Sequence, residues 1–334
     1  MTFRMRTARP SDLPALYEMA KLTGGGFTNL PPDRKNLTAK LEASAAALAR
    51  ADDTVADDRV ALMLENVDDG HVRGTCQIFS KIGETAPFYS YRLGTLTQTS
   101  KELNRTFRAE LLTLSTDFEG ASEVGGLFLH PNERAGGLGL LIARSRYLYI
   151  GQHRARFADR LFAELRGVID EGGGSPFWDG LAGKFFGMTF QEADAFNAIN
   201  GHQMIADLMP KHPVYTALLP DSARLVMGVP HSSGRAAMRM LENEGFVQDF
   251  YIDIFDGGPT MHTRTDRVKS IAGSQTVRIE RIAANDAIRT IVATGRLADF
   301  VAAYASVTED GTIDPDGARL LGVERGCDVV IAPR

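Results

Sequence analysis

The chain has 334 residues, of which 44% are hydrophobic and 24% are charged, and its formal net charge at pH 7 is −5. The length predicts about two domains or one enlarged domain, and the acidic balance argues against a nucleic-acid partner. No apolar run reaches the roughly 18 residues of a membrane span, and the amino-terminal residues lack the apolar stretch of a signal peptide. Because Cys76 and Cys327 lack metal-ligand spacing, we expect free thiols, no metal site and a cytoplasmic location.

Strand-like and helical segments alternate over residues 1–268. In chain order, the predictions are a strand over 3–8, a helix capped near Ser11, a loop over 23–32, a helix over 37–50, strands over 60–65 and 75–79, a strand ending at 97–99, a strand over 124–129, a helix over 138–157, a buried strand over 161–168, a mostly helical stretch over 175–219, a helix over 234–244 and a strand over 246–255. This alternation predicts an α/β sheet core.

The character of the sequence changes after about Val268. Short β-like runs occur at 276–282, 289–294 and 300–307, and a short helix, a turn and a last strand follow Ile313. We therefore predict a domain over 1–268, with a helical insertion at about 175–230, and a small β-rich module over 269–334. A small barrel is one candidate arrangement for this module.

The segment 122–145 carries the most informative motif. An apolar strand ends near His130, and Arg134, Gly137 and Gly139 then form the pattern R-x-x-G-x-G ahead of a helical run. A glycine-rich loop at a helix N-terminus exposes backbone N–H groups that bind phosphate. A short glycine pattern also occurs in ordinary turns. Here the pattern resembles the pyrophosphate loop of the GNAT acyl-CoA acyltransferases.

The strand before this loop also presents a candidate oxyanion donor. Leu127 lies where the strand would offer its backbone N–H to the carbonyl of an acyl group. Such a donor in a dry site is worth a few kcal/mol of transition-state stabilisation, roughly 3–4. The alternative is that Leu127 is a core residue. Both interpretations hold together if the side chain packs while the amide binds.

A helix followed by Gly245 and Phe246 resembles the end of a GNAT core, although alone it indicates only a glycine C-cap. Many GNAT enzymes carry a proton-donating tyrosine four residues before this glycine, whereas this chain has Leu241. His231, just before the helix, is the nearest alternative proton donor. The positive end of the helix would favour a neutral imidazole. A loop histidine is also commonly an exposed residue without a catalytic role.

Other polar residues are candidates for substrate recognition, and none is assigned. A cation would bind the free carboxylate of a succinyl group, and acids would bind a guanidinium. The cationic candidates are Arg92, Lys101 and Arg166, and the acidic ones are Asp170, Glu171 and Asp256. Each is more commonly a surface or structural charge.

Several longer blocks resemble one family. They are Thr23–Pro31, Tyr91–Leu96, Ser100–Asn104, Glu164–Glu171, Ser175–Trp178, Leu208–Tyr215 and Tyr251–Thr260. Over about residues 4–268 the chain resembles the arginine N-succinyltransferases of bacterial arginine breakdown. The resemblance implies a GNAT-like fold with a mixed central sheet and flanking helices. It also implies succinyl-CoA as co-substrate, L-arginine as acceptor and no tightly bound cofactor.

The resemblance assigns two site residues. The family's succinyl-CoA contact falls on Leu127 and its proton donor on His231. Some relatives act as paired, similar subunits and also accept ornithine, so a homo-oligomer and a hetero-oligomer both remain open. The alternatives are a non-catalytic partner subunit and a GNAT enzyme that acetylates another amine. A nucleotide enzyme is less favoured, because no Walker lysine follows the glycines.

Overall fold

A computed structural model describes residues 2–23, 30–134, 136–200 and 207–333. The glycine-rich part of the predicted loop, residues 24–29, and the stretch 201–206 lie outside the described residues. None of the described helices has the length and apolar character needed to cross a membrane.

The strands and helices follow the alternation that the sequence predicts. The strands are β1 (Phe3–Thr7), β2 (Arg59–Asn66), β3 (Val72–Phe79), β4 (Ser90–Ser100), β5 (Arg105–Ser115), β6 (Ser122–Leu129), β7 (Arg160–Glu164), β8 (Val214–Tyr215), β9 (Val247–Asp253), β10 (Pro259–Arg264), β11 (Gln275–Arg278), β12 (Arg281–Ile282), β13 (Thr290–Thr294), β14 (Val301–Ala305), β15 (Thr312–Ile313) and β16 (Asp328–Ile331). The helices are α1 (Leu13–Lys21), α2 (Arg34–Ala49) and α3 (Leu138–Gln152), followed by Pro176–Gly180, Gly183–Phe186, Phe190–Asn200, Asp221–Arg224, Arg235–Asn243, Lys269–Ala272 and Pro315–Leu321.

One large sheet organises the molecule. Its strand order is β11-β16-β13-β14-β1-β2-β3-β6-β7-β10-β9-β4-β5-β8, and β12 and β15 form a separate pair. The pairs in the large sheet are antiparallel except β6 and β7, which run parallel. The predicted α/β class with a mixed central sheet and flanking helices is confirmed.

Helices cover both faces of the centre of the sheet. Leu62 and Leu64 of β2 belong to the core that also contains the buried residues of α3. Ala61 and Met63 belong to the core formed with α1 and α2. Successive side chains of a strand point to opposite faces, so this alternation places α3 on one face and α1 with α2 on the other.

The segment after Val268 extends the same sheet. Met5 of β1 pairs with Ala302 of β14, and β13, β16 and β11 follow outward from β14. The barrel considered for this segment does not form in the described residues, because β14 pairs with the edge of β1 that β2 leaves free. The segment has its own apolar cluster, which includes Val292, Leu320 and Val329.

Two parts of the sheet differ from the sequence prediction. The sequence indicates only a strand end at 97–99, whereas β4 and β5 form a hairpin of two 11-residue strands. The hairpin is largely exposed beyond Tyr91, so it lacks the apolar alternation that reveals a strand. The strand predicted over 161–168 ends at Glu164: the Leu165 amide still donates to the Pro259 carbonyl at the start of β10, and Gly167 then forms a bridge with Pro230.

Candidate active site

The parallel strands β6 and β7 separate soon after they pair. Ser122 pairs with Leu161 and Glu123 with Phe162, and no further pairs follow, although β6 continues to Leu129. The result is an opening between the two strands toward their carboxyl ends. Its first side, the β6 rim, consists of β6 and the loop 130–137. Its second side, the β7 rim, consists of β7 and the segments 165–167 and 230–234.

A β-bulge shapes the β6 rim. Thr75 of β3 pairs with Phe128 and Gln77 pairs with Gly125, so Gly126 and Leu127 together lie opposite one residue of β3. Gly126 has φ of +57°, and a Cβ there would lie 2.9 Å from the Gln77 amide nitrogen. Only glycine fits both the backbone and the contact. A bulge of this kind changes the direction in which the strand presents its groups.

Leu127 therefore lies within the bulge, beside the opening. Its side chain is partly buried and packs against the main apolar core on the α3 face. The packed side chain fixes the position of the backbone amide, which is the group that the sequence assigns to the acyl carbonyl.

The loop after β6 ends in the N-terminus of a 15-residue helix, α3. Gly136 and Gly137 have φ of +66° and +78°, and both are exposed. In the described part of the chain, the N–H groups of residues 136–139 donate no hydrogen bond to the protein. The Tyr304 hydroxyl of β14 donates to the Gly137 carbonyl at 3.0 Å and holds the loop from the far side. This arrangement has the geometry of an anion site.

The other predicted loop residues lie around the same helix end. Arg134 is exposed, and its side chain forms no ion pair or hydrogen bond with the described residues. Gly139 lies in the first turn of α3, where an added Cβ would just reach Leu129 at 4.0 Å. The His130 amide donates to the Arg73 carbonyl at 2.9 Å, which ties the start of the loop to β3.

The β7 rim carries His231, which is distant in sequence from β7. Gly167 forms a bridge with Pro230, and the His231 amide donates to the Arg166 carbonyl at 2.8 Å. Because Arg166 and Gly167 directly follow the end of β7, these contacts hold His231 on the β7 rim of the opening. The structure thus brings the proposed acid to the strand pair that holds the proposed oxyanion donor.

The hydrogen bonds of His231 define its tautomer. Its Nδ1 lies 2.7 Å from the Ser233 hydroxyl and accepts from the Ser233 amide at 3.3 Å. An accepting Nδ1 leaves the proton of the neutral ring on Nε2. Burial lowers the pKa of His231, and the positive charge of Arg166 lowers it further. The ring is therefore neutral near pH 7, with its Nε2–H available.

The helix Arg235–Asn243 supplies no alternative acid in place of the tyrosine of many GNAT enzymes. Leu241 is only 4% exposed and belongs to the main core. The Phe246 amide donates to the Leu241 carbonyl at 3.0 Å, which closes the helix as the sequence pattern predicts.

The unassigned polar candidates fall into different environments. Arg92 lies 3.9 Å from Asp117, and Lys101 lies at the exposed tip of the β4–β5 hairpin. Asp256 is buried and accepts from the amides of Gly167 and Gly258, so it has a structural role. Arg166 contacts the His231 segment through its carbonyl, whereas Asp170 and Glu171 are exposed.

Comparisons with known proteins agree with this geometry. The family model described as "Arginine N-succinyltransferase beta subunit" matches residues 3–270. The arginine N-succinyltransferase of Citrobacter koseri is 42% identical over 271 residues, which cover 81% of this chain and 78% of that protein. The arginine N-succinyltransferase of an Enterobacter species is also 42% identical, covering 82% and 80%. This chain belongs to the arginine N-succinyltransferase family.

A solved structure extends the likeness to the whole chain. The arginine/ornithine succinyltransferase subunit AI from Pseudomonas aeruginosa superposes with a TM-score of 0.90 at 32% identity, covering 99% of this chain and 98% of that one. The carboxyl-terminal strands are therefore part of the fold shared with this succinyltransferase subunit. The predicted family and the class of acyltransferase are confirmed.

Two residues near the site escaped the sequence analysis. Tyr304 reaches the Gly137 loop from β14, and Glu164 ends β7 beside the opening. Tyr304 carries no local motif. Glu164 could have been singled out as an acid at the end of an apolar strand.

Proposed function

We propose that this chain transfers the succinyl group of succinyl-CoA to the α-amine of L-arginine and releases coenzyme A. The observation that carries the proposal is the opening between β6 and β7. A bulged strand and a glycine-rich helix N-terminus lie on one rim, and His231 lies on the other. Membership of the family supports the choice of acyl donor and acceptor.

Coenzyme A is held on the β6 rim in this proposal. The N–H groups of residues 136–139 receive the pyrophosphate, where the helix dipole also favours negative charge. Arg134, which has no protein partner in the described residues, adds a cation beside the phosphates. The thioester then lies along β6, with its carbonyl oxygen at the Leu127 amide. The coenzyme is a co-substrate and leaves after each turnover.

The reaction moves one acyl group and needs two proton transfers. The α-amine, with a pKa of about 8, must first lose a proton. Its nitrogen then attacks the thioester carbon, and the Leu127 amide stabilises the oxyanion. The C–S bond then breaks as the His231 Nε2–H protonates the departing thiolate, while Nδ1, which lies against the Ser233 hydroxyl, takes up a proton. The nitrogen gives its second proton to water, and exchange with water returns the ring to its starting tautomer.

A steady-state assay of the purified chain tests the proposal. Release of the coenzyme A thiol is measured with succinyl-CoA or acetyl-CoA, each with L-arginine or L-ornithine. We expect the highest kcat/KM for succinyl-CoA with L-arginine. A preference for acetyl-CoA would identify the chain as an acetyltransferase. A preference for ornithine would identify ornithine, and not arginine, as the acceptor.

A paired subunit is the second candidate. The similar Pseudomonas aeruginosa chain is named as one subunit of an arginine/ornithine succinyltransferase. We infer an oligomer, either of this chain alone or with a similar subunit. Sedimentation measurements on the purified chain give its assembly state. No turnover by a folded chain that binds coenzyme A would identify a non-catalytic partner.

The free thiols of Cys76 and Cys327 support a cytoplasmic location.

A further inference from the structure

Glu164 lies at the opening with its carboxylate on the face opposite α3. The offset of the parallel pair places it level with Gly125 of β6, which has no side chain. Its antiparallel partner on the other side is Thr260 of β10. Leu161 and Ala163 belong to the core formed with α3. Since side chains alternate along a strand, Glu164 points to the other face.

Among the residues that the structure describes, no basic side chain forms an ion pair with the Glu164 carboxylate. The residue is partly exposed, but its Oε1 is buried and accepts no hydrogen bond within the described residues. Burial, together with the charges of Asp253, Glu123 and Asp256, raises the pKa of Glu164 well above its usual range. Only the nearby Thr260 hydroxyl acts in the opposite direction. A buried acid in such surroundings is stabilised by any cation that reaches it.

The neighbouring acids are already engaged, unlike Glu164. Asp253 accepts hydrogen bonds from two backbone amides of the turn after β9, at 2.7 and 2.8 Å. Asp256 accepts from the amides of Gly167 and Gly258 at 2.7 and 2.8 Å. Glu123 lies near the charges of Arg59 and Lys40, although burial still raises its pKa to about 7. Glu164 is therefore the carboxylate of this group that remains available to a ligand.

Thr260 is the polar side chain beside this carboxylate. It is fully buried, with 0% exposure, and because it pairs directly with Glu164, both side chains lie on the same face of the sheet. The Thr260 hydroxyl acts on the Glu164 carboxylate and lowers its pKa, but its Oγ1 forms no well-aligned hydrogen bond within the described residues. Buried hydroxyls almost always have a partner, so the pair of side chains has room for a further hydrogen-bonding group.

We propose that the Glu164 carboxylate, with the Thr260 hydroxyl, binds a cationic nitrogen of the amino-acid acceptor. This inference rests on the proposed function, because it identifies the acceptor side of the same opening. The acceptor offers two cationic groups, an α-ammonium and a guanidinium, and a carboxylate recognises both by charge-assisted hydrogen bonds. If the α-ammonium binds here, Glu164 also receives the proton that the amine loses before it attacks.

The test is calorimetric binding of L-arginine to the full chain saturated with coenzyme A. The variant is Glu164→Gln, which keeps the shape and removes the charge. The matched control is Glu309→Gln, an exposed acid in the carboxyl-terminal segment. We expect arginine to bind at least tenfold more weakly to Glu164→Gln, and within twofold of the unmodified protein to Glu309→Gln. Coenzyme A affinity should be unchanged in both, which reports that the variants are folded.

Two analogues identify the cation that is bound. L-citrulline retains the α-ammonium and lacks the guanidinium charge, and the α-hydroxy analogue of arginine retains the guanidinium and lacks the ammonium. The analogue that lacks the bound group should bind the unmodified protein much more weakly than arginine does. The Glu164→Gln variant should bind that analogue and arginine with similar affinity. Either pattern supports the proposal.

A second measurement is the pH dependence of arginine binding. A cation beside Glu164 favours its ionised form, so the affinity for arginine should weaken as the pH is lowered and Glu164 becomes protonated, and this dependence should be lost in Glu164→Gln. Arginine affinity that stays within twofold of the unmodified protein in folded Glu164→Gln overturns the proposal. Failure of the proposed function gives a different result. Arginine would still bind more weakly to Glu164→Gln than to the unmodified protein, but no succinyl group would be transferred.

Discussion

The two rims of the opening between β6 and β7 are built in different ways. The β6 rim is continuous in sequence: the bulge at Gly126, the loop and the start of α3 follow one another within about twenty residues, and they offer backbone N–H groups. The β7 rim combines Glu164 with His231, which lies far along the chain and is held by backbone contacts to Arg166 and Gly167. The β7 rim therefore offers side chains.

This difference separates binding from proton transfer. Backbone amides provide fixed dipoles for phosphate and for a developing oxyanion, but they do not exchange protons during turnover. Side chains with shifted pKa values perform that task. Substitutions on the β6 rim should therefore change coenzyme A affinity, whereas substitutions at His231 should change turnover.

The largest expected effect is on the β7 rim. His231→Ala removes the group that gives a proton to the leaving sulfur, so kcat should fall by about 10²–10⁴-fold. The Kd of coenzyme A should stay within twofold of the unmodified protein. The exposed His212→Ala serves as the control and should retain full activity. Turnover of His231→Ala within threefold of normal would contradict the assignment.

The next effect concerns the β6 rim. In Gly137→Ala, a residue at φ of +78° acquires a Cβ that would lie 2.9 Å from the Tyr304 hydroxyl. The backbone strain alone costs about 1–2 kcal/mol, so we expect the Kd of coenzyme A, measured by calorimetry, to rise about tenfold. Gly187→Ala is the control, because it has a similar φ of +60° in open space. Equal effects on coenzyme A affinity in the two variants would argue against a phosphate site.

A smaller effect is expected from the contact between the carboxyl-terminal strands and the β6 rim. Tyr304→Phe removes the hydrogen bond to the Gly137 carbonyl. One such bond contributes about 1 kcal/mol, so denaturant unfolding should show a loss of about that size, and the Kd of coenzyme A should rise about two- to threefold. Tyr89→Phe, whose hydroxyl forms no hydrogen bond with the described residues, should change neither quantity. An unchanged Kd in Tyr304→Phe would show that β14 does not position the loop.

The smallest effect is electrostatic and appears in a titration. Arg166 contributes to the low pKa of His231 after burial, so Arg166→Gln should raise that pKa toward 6.5. NMR titration of the His231 ring protons measures it. Arg264→Gln, an exposed arginine on β10, should leave the value unchanged. A fall of the pKa in Arg166→Gln would mean that the charge of Arg166 does not act on the ring.

The sequence predicted the β6 rim better than the rest of the sheet. The apolar strand, the glycine loop and the following helix are local features, and a resemblance to a known family could be read from them directly. The β4–β5 hairpin was missed because its exposed strands lack apolar alternation. The strands after Val268 were recognised as β-rich, but their place beside β1 depends on pairing between residues at opposite ends of the chain.

By itself, the sequence determined the family, the α/β class and the position of the glycine-rich loop that we propose binds phosphate, because each depends on patterns within short segments of the chain. Only the tertiary structure decided that β6 and β7 separate after two pairs, that His231 lies on the far rim and that Tyr304 supports the loop. It also placed Glu164 beside the buried Thr260. These contacts join residues separated by roughly 65 to 170 positions, and their pairing depends on how the whole sheet assembles.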